Sequence, residues 1–149
     1  MKVSIMHVAR TIVEQSGEKP TPLKLQKLAY YCQAWSLVWE EKPLFEEDFQ
    51  AWANGPVNPE LYVKHKGTYS IGDDFLSDFS GFKFSESDTH TIQEVLNFYG
   101  KQDPFYLSEL THKERPWKEA RGTTPMGAPS TTVISKESMQ EYYTGISSQ

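Results

Sequence analysis

Two prolines three residues apart, Pro56 and Pro59, rule out any regular element running unbroken through residues 51–62, AWANGPVNPELY. Each ring fixes its own φ and removes a backbone donor, so one element must end here and another begin. The residue before a proline is pushed out of the helical region, a demand that Gly55 meets in almost any geometry. Upstream, Phe49-Gln50-Ala51 alternates in the manner of a short strand, expected over about 48–53. Downstream, Asn58 suits an N-cap, Pro59 the first helical position, and Val57 and Tyr62 the two sites of a hydrophobic staple. The two corners are therefore expected to convert strand direction into helix direction, with Gly55-Pro56 as the turn. The same order of capping side chain and proline recurs at Thr21-Pro22 and Asp103-Pro104, marking two more helix starts.

Apolar spacing fills in the rest. Ile5, Val8, Ala9, Ile12 and Val13 line one face of a helix that Ser16-Gly17 ends. Leu25, Leu28, Cys32, Trp35 and Trp39 step by three and four through a long helix that starts at Thr21 and has stopped by Pro43; its apolar content predicts a central position. A third long helix is expected over about 87–99, with Ile92, Val95, Leu96 and Tyr99 on one face. A shorter one begins at Pro104 with Leu107 and Leu110, and a further turn follows Trp117. A last helix, capped by Ser135, is expected over about 136–143 after a short extended stretch at 132–134. Residues 67–86 are rich in Gly, Ser and Asp yet carry Phe75, Phe79, Phe82 and Phe84, which predicts irregular chain lying on the body; residues 122–132 read as loop. The fold class is mainly α, of the α+β kind: a compact bundle of about five to six helices with a small β element near 48–53 and 131–134. With 149 residues the chain suits one domain over 1–149, its core spanning about 5–143, large enough to fold without disulfides.

Fifteen Lys and Arg against twenty Asp and Glu give a formal charge of −5, which disfavours nucleic acid unless positive charge gathers on one face. A single cysteine, Cys32, inside an apolar pattern, with no signal peptide and no long apolar span, points to the cytoplasm and away from the membrane. Four histidines (His7, His65, His90, His112) fall in four separate segments without metal-ligand spacing, and no nucleophile-elbow, Walker or dinucleotide glycine pattern occurs, so no metal or cofactor is expected. One cluster invites a catalytic reading. In LSELTHKERPWKEA, Ser108 and His112 are four apart, and Glu109 or Glu114 could orient the imidazole of a His112-dependent hydrolase. The plainer reading is a histidine at a helix C-terminus, stabilised by exposed carbonyls. The basic run Lys113, Arg115, Lys118 and Arg121 and the acidic run Glu40, Glu41, Glu46, Glu47 and Asp48 form a polarity suited to steering a charged protein partner.

Three blocks in order, LKLQKLAYYCQAW (23–35), KPLFEEDFQAWANGPVNPELY (42–62) and LSELTHKERPWKEAR (107–121), resemble the Panacea domain, the SocA-like or GepA-like antitoxin domain of phage-associated bacterial proteins. The likeness runs from about Ile5 to Tyr142. It implies a compact helical core and a role as antitoxin, neutralising a cognate protein toxin by direct binding without a cofactor. A proteolytic adaptor that hands the toxin to a protease is the variant role; pairing of the chain with itself as a homodimer is left open by the sequence. The family's motif positions map to Leu25, Lys27, Leu28 and Tyr31, to Phe49, Ala51, Trp52, Gly55, Pro56 and Val57, and to Thr111, His112, Pro116 and Trp117, which read as shared architecture. Because interface hot spots favour Trp, Tyr and Arg, the expected toxin contacts are Trp52, Tyr62, Tyr69, Trp117 and Arg121.

Overall fold

A computed structural model describes residues 2–147. Met1, Ser148 and Gln149, the ends of the expected 1–149 domain, lie outside the described residues. The chain runs α1 (Ile5–Gln15), α2 (Pro22–Trp39), β1 (Phe49–Trp52), β2 (Gly55–Val57), α3 (Pro59–His65), a 3-10 turn at Ser77–Phe79, α4 (Glu86–Tyr99), α5 (Pro104–Lys113), α6 (Arg115–Arg121), β3 (Val133–Ile134) and α7 (Lys136–Ser147). The described residues are thus mainly helical with a small antiparallel sheet. Helices number seven among them, more than the expected five to six, because Glu114 adopts an extended conformation (φ −93°, ψ 140°) and splits α5 from α6.

α2 is the axis of the fold. Thr21 accepts from the Lys24 amide at 3.2 Å and Pro22 opens the first turn, as the local pattern requires. Twelve of its eighteen residues are buried, so it has no broad solvent face, and α1, α4, α5, α7 and β2 pack around it. Four of the buried residues are polar: Gln26, Lys27, Gln33 and Ser36. A buried polar side chain is costly unless bonded, and each of these meets backbone of the chain between Lys42 and Asn58. The Gln33 amide accepts from the Leu44 (2.7 Å) and Phe45 (3.4 Å) N–H groups and donates to the Phe45 carbonyl at 2.7 Å. The Ser36 hydroxyl donates to the Lys42 carbonyl at 2.9 Å. Gln26 accepts from the Asn58 N–H at 2.8 Å and donates to the Asn58 carbonyl at 3.2 Å, while Lys27 Nζ donates to the Pro56 carbonyl at 3.1 Å. One helix therefore holds the chain from 42 to 58.

The sheet has the order β2-β1-β3, all antiparallel, with Trp52 opposite Gly55, Gln50 opposite Val57 and Phe49 opposite Ile134. β1 and β3 fall inside the stretches where strands were expected. Gly55-Pro56-Val57, expected as a turn, is instead a strand, and the reversal is made one step earlier at Ala53-Asn54. Pro56 is tolerated because β2 is an edge strand, where a missing donor breaks no ladder. Asn58 then caps α3: its side-chain oxygen accepts from Leu61 N–H at 2.7 Å and its amide donates to the Asp48 carbonyl at 2.7 Å, so every polar group of this buried residue is bonded.

Residues 67–86 lie on the body as expected, with Ile71 buried and Phe75, Phe79 and Phe84 packed against the core. Phe82 stacks on His7 at 3.9 Å, and Arg10 of α1 donates to the Asp73 and Phe75 carbonyls. α7 runs four residues beyond its expected end near 143, carrying Met139 and Tyr143 into the core.

Gly55 sits at φ +118°, and a Cβ there would lie 2.6 Å from Lys27 Cε and 2.9 Å from Thr111 Oγ1. Gly67, at φ +79°, has open space around the same position. Gly55→Ala is expected to cost about 2–4 kcal/mol, from backbone strain plus overlap, and Gly67→Ala only about 1 kcal/mol, from strain alone. Urea denaturation of the two variants checks this; equal losses would remove the overlap from the account.

Candidate functional site

The third sequence block wraps the β1–β2 hairpin from the side opposite in sequence to α2. Its side chains donate to three carbonyls of the hairpin. Arg121 Nη1 donates to Ala51 O at 3.0 Å, Trp117 Nε1 to Trp52 O at 2.8 Å, and Ser108 Oγ to Asn54 O at 2.5 Å. The second Arg121 nitrogen fastens the following loop through Pro125 O (2.8 Å) and Ala128 O (2.6 Å), and its guanidinium lies 5.0 Å from the Trp117 ring. Lys27 of α2 and Thr111 of α5 both close on Gly55. The three blocks thus form one device: α2 and α5–α6 clamp the hairpin between them.

Residues 25–118, well over half of the chain, match the family model described as Antitoxin SocA-like, Panacea domain. The chain belongs to this family. No curated protein and no solved structure matched it. The match spans the helix that clamps, the hairpin that is clamped and most of the helix pair that completes the grip. Within this Panacea core Leu25, Leu28, Tyr31, Phe49, Val57, Pro116 and Trp117 are all buried.

The electrostatics of the clamp follow from its dryness. Lys27 is 0 % exposed, and burial brings its ammonium down to about 7. His112 and His65 are both held below the ordinary imidazole value, first by burial and further by the nearby Lys27 charge. The His112 ring stacks on Trp117 at 4.0 Å and 14°, and its Nε2 is buried without a hydrogen-bond partner among the described residues. Ser108 points its hydroxyl at the hairpin, so the four-residue spacing to His112 produces no nucleophile–base pair. Glu114 does not orient the imidazole either. Its Oε1 accepts from the Tyr31 and Tyr143 hydroxyls, each at 2.7 Å, with the Tyr30 hydroxyl 3.2 Å beyond Tyr143. Burial raises the Glu114 carboxyl above its ordinary value, and the two phenols partly offset this. The described residues contain no cluster of three or more potential metal ligands, and no helix long and apolar enough to cross a membrane.

The expected contact residues divide into two groups. Tyr69 is 95 % exposed, and Trp52 and Tyr62 are half-buried, meeting edge to face at 4.9 Å. Trp117 and Arg121 are 2 % and 5 % exposed, which corrects the expectation for them: their donors serve the hairpin and loop, and neither ring nor guanidinium offers surface. The larger aromatic surface was missed. Phe98 at the end of α4, Phe105 and Tyr106 at the start of α5, and Trp39 at the end of α2 are all exposed. Phe98 falls out of phase with the Ile92, Val95 and Tyr99 face, and that mismatch was readable in the sequence. Tyr99, itself 5 % exposed, contacts Phe98 directly and Trp39 only through Trp35. It meets Phe98 edge on at 4.8 Å, stacks on Tyr31 at 4.0 Å and accepts from Trp35 Nε1 at 2.9 Å, while Trp35 stacks on Trp39 at 5.2 Å.

Lys27 supplies a pH signature. Its folded-state value lies below the ordinary 10.5, so between about 7 and 10.5 the unfolded chain binds a proton that the folded chain does not, and stability rises with pH in that window. Burial raises the Cys32 thiol and the Tyr30 and Tyr143 phenols, so these groups oppose the trend only as pH approaches their ordinary values of 9.0 and 10.0. The denaturation midpoint is therefore expected to rise from pH 7 to about pH 8.5 in the parent protein and to stay level in Lys27→Met. A parallel rise in both would mean that Lys27 is not the titrating group.

Proposed function

We propose that this protein is an antitoxin that neutralises a protein toxin by direct binding, through its exposed aromatic side chains Phe98, Phe105, Tyr106 and Trp39. The carrying observation is that these large side chains stand exposed on α2, twelve of whose eighteen residues are buried, and on helices packed against it. A rigid surface loses little entropy on association, and a standard interface needs about 800 Å² from each partner, an area that several aromatic side chains can anchor. The half-buried pair Trp52 and Tyr62 and, separately, the exposed Tyr69 are available to the same partner.

A binding role is favoured over hydrolysis by the state of the polar groups. Lys27, Glu114 and Ser108 are buried and committed to structural bonds, and His112 faces Trp117 in place of a nucleophile. No cofactor is required. The buried Cys32 thiol, raised by its surroundings, suits a reducing cytoplasm, where it stays inert. An adaptor that delivers the toxin to a protease would use the same surface, and the toxin's half-life with and without this protein separates the two fates.

Co-expression with the product of an adjacent gene that inhibits growth when expressed alone tests the reading: growth is expected to recover and the two proteins to co-purify. Phe98→Ser combined with Phe105→Ser should weaken the complex at least about tenfold while leaving thermal stability within about 1 kcal/mol of the parent. Failure of the parent protein to rescue growth or to co-purify would overturn it.

A further inference from the structure

His65, the last residue of α3, is 6 % exposed, and its Nε2 lies 3.0 Å from the side-chain nitrogen of Gln26 on α2. Distance alone does not tell which of the two nitrogens carries the hydrogen, but the other bonds of Gln26 do. Its amide lies against both backbone groups of Asn58: the oxygen accepts from the Asn58 N–H at 2.8 Å, and the nitrogen donates to the Asn58 carbonyl at 3.2 Å. Turning the amide over would set donor against donor and acceptor against acceptor, so its orientation is fixed. The second hydrogen of the Gln26 nitrogen is the one left for His65, and Nε2 is therefore the acceptor. An imidazole that accepts through Nε2 is neutral and carries its proton on Nδ1; an imidazolium has no acceptor to offer.

The surroundings also oppose a second proton. Burial is the largest influence and holds the ring below its ordinary value; a hydrogen bond to its own backbone works the other way, and the Lys27 charge lowers it again. Lys27 on α2 and the exposed neighbours Lys64 and Lys66 are all positive, and no carboxylate pairs with the ring among the described residues. Tyr62 meets the His65 ring edge to face at 5.3 Å and the Trp52 ring at 4.9 Å. Asn58 is where a proton would be felt. Both its backbone groups are held by Gln26, while its side chain caps α3 through the Leu61 N–H and reaches the Asp48 carbonyl.

We propose that His65 is a proton-operated latch on α3: neutral, it keeps Gln26 seated on Asn58; protonated, it sets an N–H against the Gln26 amide, breaks that pairing and lets α3 part from α2. The Trp52–Tyr62 contact loosens with it, since Tyr62 belongs to α3. The folded-state value lies below the ordinary 6.5, so the latch contributes fully above 6.5 and is lost progressively as pH falls from there toward the folded value. Above that window it is closed, and Asn58 belongs to the unit held by α2.

Nitrogen-15 shifts of the imidazoles in the whole protein read the tautomer. At about pH 7.5 His65 is expected in the neutral Nδ1–H form, with a titration midpoint below 6.5. Hydrogen exchange reads the latch. Between about pH 7 and about pH 5, after correction for intrinsic rates, the Asn58 and Leu61 amides are expected to lose at least about tenfold more protection than those of Leu44 and Phe45, whose acceptor is Gln33. Gln26→Glu puts an acceptor where Gln26 has its donor and should move the His65 midpoint upward, whereas His65→Gln, which takes up no proton, should abolish the extra acid loss at Asn58. An Nε2–H tautomer, an imidazolium at about pH 7.5, a midpoint at or above 6.5, or Asn58 losing protection in step with Leu44 and Phe45 would overturn the proposal. An unmoved midpoint in Gln26→Glu, or an acid loss that persists in His65→Gln, would do the same. Both measurements on the parent chain stand whether or not the variants fold.

Discussion

Everything in this fold leans on the way α2 uses its buried polar side chains. A helix enclosed on nearly every side has no water to satisfy Gln26, Lys27, Gln33 and Ser36, and each finds its partner in backbone between Lys42 and Asn58. Such bonds add modestly to stability when made, about 1 kcal/mol each, but leaving one end unmade in the interior costs more. The irregular chain and the helix therefore have to be in place together. The hairpin, three of whose carbonyls accept from Ser108, Trp117 and Arg121, is held from α5 and α6 by the same logic.

That arrangement separates the two kinds of side chain that a sequence of this composition offers. Groups with chemical reactivity, among them Lys27, Glu114 and Cys32, are drawn inward and fully occupied with structure. Groups with binding capacity, among them Phe98, Phe105, Tyr106 and Trp39, are left outside on the ends of helices whose middles are anchored. A clamped interior with an aromatic exterior is what a protein needs in order to present a preformed shape to another polypeptide, since rearrangement on binding would draw on the interaction energy.

Local rules made much of this legible. The caps at Thr21, Asn58 and Asp103 follow from a short polar side chain before proline, and each bonds as that rule requires. The faces of α1 and α4 follow from spacing alone. What escaped depends on partners distant in the chain. Lys27 and Gln33 look like surface residues until the Pro56 and Phe45 carbonyls are brought beside them, and Gly55-Pro56-Val57 looks like a turn until Trp52 pairs across from Gly55. Trp117 and Arg121 have the composition of a binding hot spot but not the exposure, because nothing in the local sequence shows that Ala51 and Trp52 carbonyls await them. The order of the three blocks carried that non-local information, and for that reason it pointed to the right family when single motifs did not.

Native-state hydrogen exchange tests the central claim most directly, that α2 and the segment it holds fold and unfold as one unit. Amides of Leu44, Phe45 and Asn58, whose acceptors are side chains of α2, should exchange with the same free energy as the core amides of α2 itself, through global unfolding alone. Exchange of those three amides by local opening, several kcal/mol below the α2 core, would show that the clamp does not hold and that the surface built on it is not preformed.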